Sequence, residues 1–281
     1  MHPWLASPAG QYLLAWEQAR IDLEVTDIFG FHALQVGLPQ IDALRANRMP
    51  HRWQCDDVPG LFASTSGAWA EPTAPSRPHL VCQPEALPFD ELSLDLVVLP
   101  HTLELAADPH ATLAEVDRVL RPEGRVVIVG FNPASLWALR EQVARLRPSH
   151  ASRRQAFMPP TGEIIGYRRL RDWLRLLSFE VEGGRFGCYR PPLISQRWLE
   201  RFDWMDTWGD RWWPVFGAVY CCVAVKRVRG MRLVGLDRSS RRSPSRAAVA
   251  SASAPAHASP AAPAGAASLS AEPAISRYPD E

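Results

Sequence analysis

The sequence has 281 residues, of which 47% are hydrophobic and 22% are charged, and its formal net charge is +1. This length suits one large α/β domain with a tail, and the near-neutral charge excludes a strong overall attraction to nucleic acid or anionic lipid. The five cysteines match no zinc or redox spacing, so we predict reduced thiols and no metal site. Without a signal-peptide pattern or an apolar run of roughly 20 residues, we expect a cytoplasmic protein with no membrane span.

Along the chain, helical patterns alternate with short apolar runs. The predicted helices are 10–25, 41–48, 108–120 and 167–177, and the predicted strands are 32–36, 52–55, 79–82, 94–99, 125–129, 179–186 and 218–226. This alternation predicts an α/β fold whose seven-stranded sheet is doubly wound and mostly parallel. The long connection between the last two strands predicts an antiparallel hairpin at one sheet edge.

Changes in composition divide the chain into three parts. Residues 1–29 form a helical extension, residues 30–230 form the α/β domain, and residues 231–281 form a tail that begins basic and continues as Ala, Ser and Pro. We expect the tail to be disordered because it contains few large apolar residues. Its basic start is best interpreted as a solvated linker, and contact with nucleic acid or an acidic partner is the less favoured alternative.

Three short motifs follow one another between residues 84 and 133. They are Glu85-Ala86-Leu87-Pro88-Phe89, Leu94-Asp95-Leu96-Val97 and Arg118-Val119-Leu120-Arg121-Pro122-Glu123-Gly124. In this order they resemble the type 11 branch of the class I S-adenosylmethionine-dependent methyltransferases. The resemblance implies a Rossmann-like methyltransferase fold over residues 30–230 and S-adenosyl-L-methionine as cofactor.

The first loop departs from the pattern of that family, which is a strand ending in acid-x-Gly-x-Gly-x-Gly. Here Gln35 stands at the acidic position, Gly37 is the first glycine, and Pro39 and Ile41 replace the later ones. Proline removes a backbone donor, and we expect the side chain of Ile41 to lie where the ligand would bind. The resemblance implies that Gln35 and Gly37 contact the cofactor, in a loop less suited to tight binding.

Further cofactor contacts are implied by position in the family pattern. They are Asp56, Gln83, Glu85, Ala86, Leu87 and Pro100. An acid at the end of the second strand accepts hydrogen bonds from ribose hydroxyls, a role for Asp56 in which Asp57 could substitute. Gln83 would bond the edge of the adenine and Leu87 would cover its face. For Asp56 and Asp57, two surface acids that open a loop are an equally good interpretation.

The loop after the fourth strand carries the candidate catalytic residues, since ligands of such sheets bind beyond the carboxyl ends of the strands. His101 is the candidate general base because its unperturbed pKa is near 6.5, and Glu104 would orient His101 or the substrate. The alternative is that both side chains serve packing or the end of a helix.

Five tryptophans occur between residues 198 and 213, in the connection between the last two strands. One interpretation is an aromatic wall for an apolar acceptor, or a surface for a partner. The favoured interpretation is a helix whose tryptophans pack on the sheet edge.

Two functions remain open from the sequence. The first is methyl transfer to an unidentified small-molecule or macromolecular acceptor. The second is a degenerate methyltransferase fold that acts as a binding or regulatory module, which the altered first loop favours. Methylation of nucleic acid depends on the basic segment alone and is not favoured.

Overall fold

The fold is described from a computed structural model, over residues 2–56, 79–146, 157–159, 162–193 and 195–227. Contacts between residues divide the chain into two units. The first, Met1–Arg232, contains every helix and strand named below, and the second is Leu233–Glu281. The predicted disorder of the tail at 231–281 lies outside the described residues, as does Asp57.

In the described residues, seven strands form one sheet in the order β3-β2-β1-β4-β5-β7-β6. The strands are β1 His32–Val36, β2 His51–Asp56, β3 His79–Val81, β4 Leu94–Pro100, β5 Leu120–Phe131, β6 Phe179–Gly187 and β7 Val219–Lys226. The pairs from β3 to β5 are parallel, and β7 runs antiparallel to both β5 and β6. The predicted mostly parallel sheet with an antiparallel edge hairpin is confirmed.

Helices cover both faces of this sheet. They are α1 His2–Leu5, α2 Pro8–Thr26, α3 Thr102–Leu105, α4 Pro109–Val119, α5 Leu136–Leu146, α6 Tyr167–Leu176, α7 Gln196–Arg201 and α8 Trp204–Trp212. Successive residues of β4 belong to two different apolar cores. Leu96 lies in the core on the face of the sheet covered by α2 and α5, and Val97 lies in the core on the face covered by α4 and α6. Successive side chains of a strand point to opposite faces, which is why a continuous apolar run such as β4 serves both cores. No helix within the described ranges is both long and apolar enough to cross a membrane.

Two helices begin at side chains that cap them. Ser7 accepts a hydrogen bond from the backbone N–H of Gly10 at the start of α2, and Pro8 stands in its first turn. At the start of α4, the Asp108 carboxylate accepts from the backbone N–H groups of His110 and Ala111. Each cap satisfies donors that the helix itself leaves free, so these starts are set by local sequence.

The structure differs from the sequence predictions between β1 and β2. The chain forms turns over the predicted helix at 41–48. A disulfide also joins Cys55 at the end of β2 to Cys82 just after β3, with Cα atoms 6.2 Å apart, so the prediction of reduced thiols is wrong for this pair. The strands are parallel neighbours, and this adjacency is what brings the two cysteines together. Cys188, Cys221 and Cys222 are free and buried.

Candidate active site

The loops after β1 and β4 meet the end of β2 at one edge of the sheet. The backbone N–H of Gly37 donates to the carbonyl of Cys55 at 2.7 Å, which joins the loop after β1 to the end of β2. The hydroxyl of Thr102 donates to the carbonyl of Val36, which joins the loop after β4 to β1. A Cβ on Gly37 would lie 3.1 Å from the hydroxyl oxygen of Thr102 and 3.9 Å from the carbonyl oxygen of Pro100. Residue 37 therefore has little room for a side chain, and its positive φ of 78° also favours glycine.

Gln35 holds the loop after β1 in its conformation. Its buried amide nitrogen donates to the carbonyls of Gly37 and Leu38, each at 3.2 Å, and of Ile41 at 2.8 Å. Its amide oxygen accepts from the backbone N–H of Ala43 at 2.9 Å. An ionised carboxylate cannot donate to three carbonyl oxygens. The glutamine and the unusual loop therefore belong together, and the acid of the family pattern does not fit this loop.

The replacement at the last glycine position, Ile41, does not place its apolar side chain at the edge of the sheet. Ile41 is 1% exposed and packs with Leu38 in the core on the side of α2. The expectation that Ile41 lies in the path of a ligand is therefore wrong. Its backbone turns so that the branched side chain is removed from water, which the hydrophobic effect favours. Pro39 is partly exposed in the same turn.

Asp56 and Gln83 lie at neighbouring strand ends. Asp56 is the last residue of β2 and is buried, and its carbonyl accepts from the N–H of Cys82 at 3.0 Å. Gln83 follows directly and is exposed. Both expected contacts therefore lie at the carboxyl edge of the sheet, on the side of β1 away from β4.

The next three predicted residues turn towards α4. The Glu85 carboxylate accepts from the backbone N–H of Asp108 at 3.1 Å, just before the helix. Leu87 is 4% exposed and packs in the core on the side of α4, and its N–H donates to Glu115 at 2.9 Å. Ala86 between them is exposed. Leu87 is thus a core residue. Because its side chain is buried there, the structure does not favour the expected contact of Leu87 with the face of an adenine ring.

His101 lies between two carboxylates in the interior. Its Nε2 is 2.6 Å from Oε1 of Glu17 on α2, and its Nδ1 is 2.8 Å from Oε2 of Glu104 on α3. The other oxygen of Glu104 accepts from the backbone N–H of Phe131 at 2.6 Å, at the end of β5. All three ionisable side chains are at most 2% exposed. The group, here called the Glu17–His101–Glu104 cluster, ties α2 and the end of β5 to the loop after β4.

The charges of the cluster decide the state of the imidazole. Burial by itself lowers the pKa of His101, but the charge of Glu17 and the hydrogen bond and charge of Glu104 outweigh it and raise the pKa to about 10. His101 is therefore an imidazolium at neutral pH, with both ring N–H groups donating to carboxylates. A ring that already holds both protons in these hydrogen bonds does not favour the predicted role of general base. Glu104 does lie against His101, as expected.

Glu17 is a residue of the site that the sequence predictions missed. It occupies the apolar face of α2, four residues after Leu13 and four before Ile21, and all three are 0% exposed. An acid at a core position of an otherwise regular helix was the available signal, because carboxylates are seldom fully buried without a partner. Its Oε2 is buried with no hydrogen-bond partner among the described residues.

The tryptophans of the connection between β6 and β7 do not pack on the sheet edge. Their side chains are each between 52% and 63% exposed. The five are Trp198, Trp204, Trp208, Trp212 and Trp213. The favoured prediction that they pack on the sheet is therefore wrong, and they form an outward surface on α7 and α8.

Comparisons with known proteins agree with this architecture. Residues 62–128 match the family model described as a methyltransferase domain. The uncharacterized protein YafS of Escherichia coli (strain K12) is 31% identical over 178 residues, which are 63% of this chain and 65% of YafS. The match thus spans slightly less than two thirds of that relative.

Solved structures share the fold at low sequence identity. One belongs to a complex from Haloferax volcanii between the Trm112 methyltransferase activator and a proposed methyltransferase. Its TM-score is 0.55 at 18% identity, and the alignment covers 82% of this chain and 96% of that chain. Another is magnesium protoporphyrin IX methyltransferase from Synechocystis PCC 6803 with bound SAH, with a TM-score of 0.50, 10% identity, and coverage of 78% and 84%. The resemblance to class I methyltransferases is confirmed at the level of domain and fold.

Proposed function

We propose that this protein transfers a methyl group from S-adenosyl-L-methionine to an acceptor that remains to be identified. The observation that carries the proposal is the meeting of the loops after β1 and β4 with the end of β2 at one edge of the sheet, where ligands of doubly wound folds bind. The domain match and a solved relative in this fold with bound SAH support the same cofactor. Bound there, the cofactor supplies an electrophilic methyl group on a sulfonium.

The residues at the edge have the chemistry for such a ligand. The buried carboxylate of Asp56 suits two ribose hydroxyls, and the exposed amide of Gln83 suits the edge of an adenine. The absence of a side chain at Gly37 lets the loop after β1 pack closely against Thr102 and Pro100 of the loop after β4. Glu85 and Ala86 would position the loop between β3 and β4 around the adenosine.

The charge of the interior supports a cationic ligand. In the Glu17–His101–Glu104 cluster two acidic side chains flank one imidazole, next to the loop that contacts Gly37. A buried negative charge without full compensation favours a nearby cation. The sulfonium and ammonium of S-adenosylmethionine carry positive charge, and Oε2 of Glu17 has no partner among the described residues. In this proposal His101 positions the loop and Glu104, and it does not take a proton.

A second candidate is a binding module that does not catalyse methyl transfer. The observation in its favour is the loop held by Gln35, which keeps only one glycine of the family pattern. In that case the cofactor or its product binds weakly or not at all. A cytoplasmic location stays part of either proposal.

Titration calorimetry with S-adenosylmethionine and S-adenosylhomocysteine tests the cofactor proposal. We expect micromolar binding that Asp56→Ala weakens at least about tenfold, which is about 1.4 kcal/mol. Asp210→Ala, which removes an exposed acid of α8, is the matched control and should bind as the wild type does. Absence of binding by either compound at millimolar concentration would overturn the proposal. Binding without transfer of a labelled methyl group to any fraction of a cell extract would favour the binding module.

A further inference from the structure

The outward face of α8 is a stripe of tryptophans. Trp204, Trp208 and Trp212 follow one another at intervals of four residues, and Arg211 lies between the last two on the same side of the helix. Each of these tryptophans is more than half exposed. Trp204 and Trp208 also touch edge to face, with ring centroids 6.5 Å apart. The stripe is a continuous surface, unlike the single exposed apolar residues that are common on proteins.

The opposite side of α8 is fixed to the domain. A Cβ on Gly209 would lie 2.3 Å from the ring of Tyr189, so the helix backbone rests directly on that ring. Asp206 accepts from the hydroxyl of Tyr12 and, at 2.8 Å, from the guanidinium of Arg190. These contacts orient the helix, and the tryptophans point outward because the inner side is occupied.

The charges around the stripe are arranged asymmetrically. On a helical projection, Asp203, Asp206 and Asp210 lie on the side away from the tryptophans. Arg190 pairs with both Asp203 and Asp206. Exposed cations lie on the tryptophan side, Arg211 on α8 and Arg201 on α7, whose guanidinium is 5.8 Å from the ring centroid of Trp198. The surface thus combines indole rings with arginines.

We propose that α7 and α8 dock on the surface of a lipid bilayer that contains anionic headgroups. Tryptophan is enriched at membrane interfaces because its ring is apolar and its N–H remains able to bond, and arginine reaches the headgroups from a shallow position. The exposed guanidinium groups of Arg201 and Arg211 favour an anionic surface. A second copy fits less well, because a twofold contact would bury the same arginine-bearing patch on both subunits and bring like charges together.

Co-sedimentation of the full chain with vesicles tests the docking. We expect binding to vesicles of equal parts phosphatidylcholine and phosphatidylglycerol, with a blue shift of tryptophan emission, and much weaker binding to phosphatidylcholine alone. High salt should weaken the binding because it screens the headgroups. The double variant Trp208→Ser, Trp212→Ser should lose about tenfold or more in affinity. The variant Arg211→Gln should lose about fivefold in affinity.

Leu176→Ser is the matched control, since Leu176 is 83% exposed on α6, away from the stripe. It should bind vesicles as the wild type does. The proposal is overturned if the wild type stays in the supernatant with both kinds of vesicle, or if the tryptophan variant binds equally well. It is also overturned if sedimentation velocity shows a dimer that the tryptophan variant abolishes while vesicles are not bound, because a second copy then covers the stripe.

Discussion

Replacing Glu17 with glutamine removes one of the two carboxylates that hold His101 charged. The imidazole is fully buried, and its pKa is raised to about 10 in the folded protein. The unfolded value is near 6.5. A group whose pKa is higher in the folded state stabilises the fold fully below the unfolded value. That contribution is then lost as the pH rises towards the folded value.

The size of the effect follows from this window. Between pH 6.5 and pH 9, the free energy of unfolding of the wild type should fall by about 1.4 kcal/mol for each pH unit from this group. Glu17→Gln lowers the pKa of His101, so most of that slope should disappear. At pH 6.5 the variant should also be less stable by about 3 to 5 kcal/mol, because a buried ion pair loses one partner.

Urea unfolding of both proteins, followed by tryptophan fluorescence at several pH values, measures the slope. Glu24→Gln on the same helix is the control, since Glu24 pairs with Arg20 in a partly exposed i,i+4 contact that contributes less than about 1 kcal/mol. Parallel curves for wild type and Glu17→Gln would refute the reasoning. So would an NMR titration of the His101 ring with a midpoint near 6.5 in the folded wild type, a measurement that needs no variant to fold.

Three further outcomes follow from contacts of single side chains. Gln35→Glu should lower the free energy of unfolding by about 1 to 3 kcal/mol at pH 7, since a carboxylate would face three carbonyl oxygens. The control Gln40→Glu, in the same loop, should change the free energy of unfolding little. Equal urea midpoints for Gln35→Glu and the wild type would contradict this prediction. Asp108→Ala should lower the free energy of unfolding by about 1 kcal/mol, because α4 loses its N-terminal cap, and thermal unfolding measures this change. An unchanged Tm would show that the cap contributes nothing. Under oxidising conditions, Cys82→Ser should lower the free energy of unfolding by about 3 to 4 kcal/mol, because the disulfide bridges cysteines that are 27 residues apart. Once the wild type is reduced, the two proteins should be equally stable. A deficit that persists in reductant would point to packing instead of the bridge.

Local patterns predicted most of the fold. The bounds of β1 agree with the prediction, and α4 begins where Asp108 and Pro109 indicate. Both depend on signals within a few residues, namely a short apolar run and a capping side chain. The mostly parallel sheet followed from the alternation of strands and helices, and its antiparallel edge hairpin followed from the long connection between the last two strands.

Contacts between distant residues were not predictable in the same way. Glu17 and His101 are 84 residues apart in sequence, and only the packing of α2 on the sheet brings them together. The pairing of Cys55 with Cys82 required knowing that β2 and β3 are neighbours. Between β1 and β2, four hydrogen bonds of the Gln35 side chain hold a turn where the local sequence favours a helix.

A crystal structure of the protein grown with S-adenosylhomocysteine tests the central claim most directly. The account predicts density at the carboxyl ends of β1 and β2, with the ribose hydroxyls on Asp56, the adenine edge near Gln83, and the sulfur side towards the loop of Thr102. Clear density for the ligand elsewhere on the molecule would contradict the assignment of this edge as the active site. So would a structure at saturating ligand concentration in which the loop after β1 is unchanged and no ligand is bound.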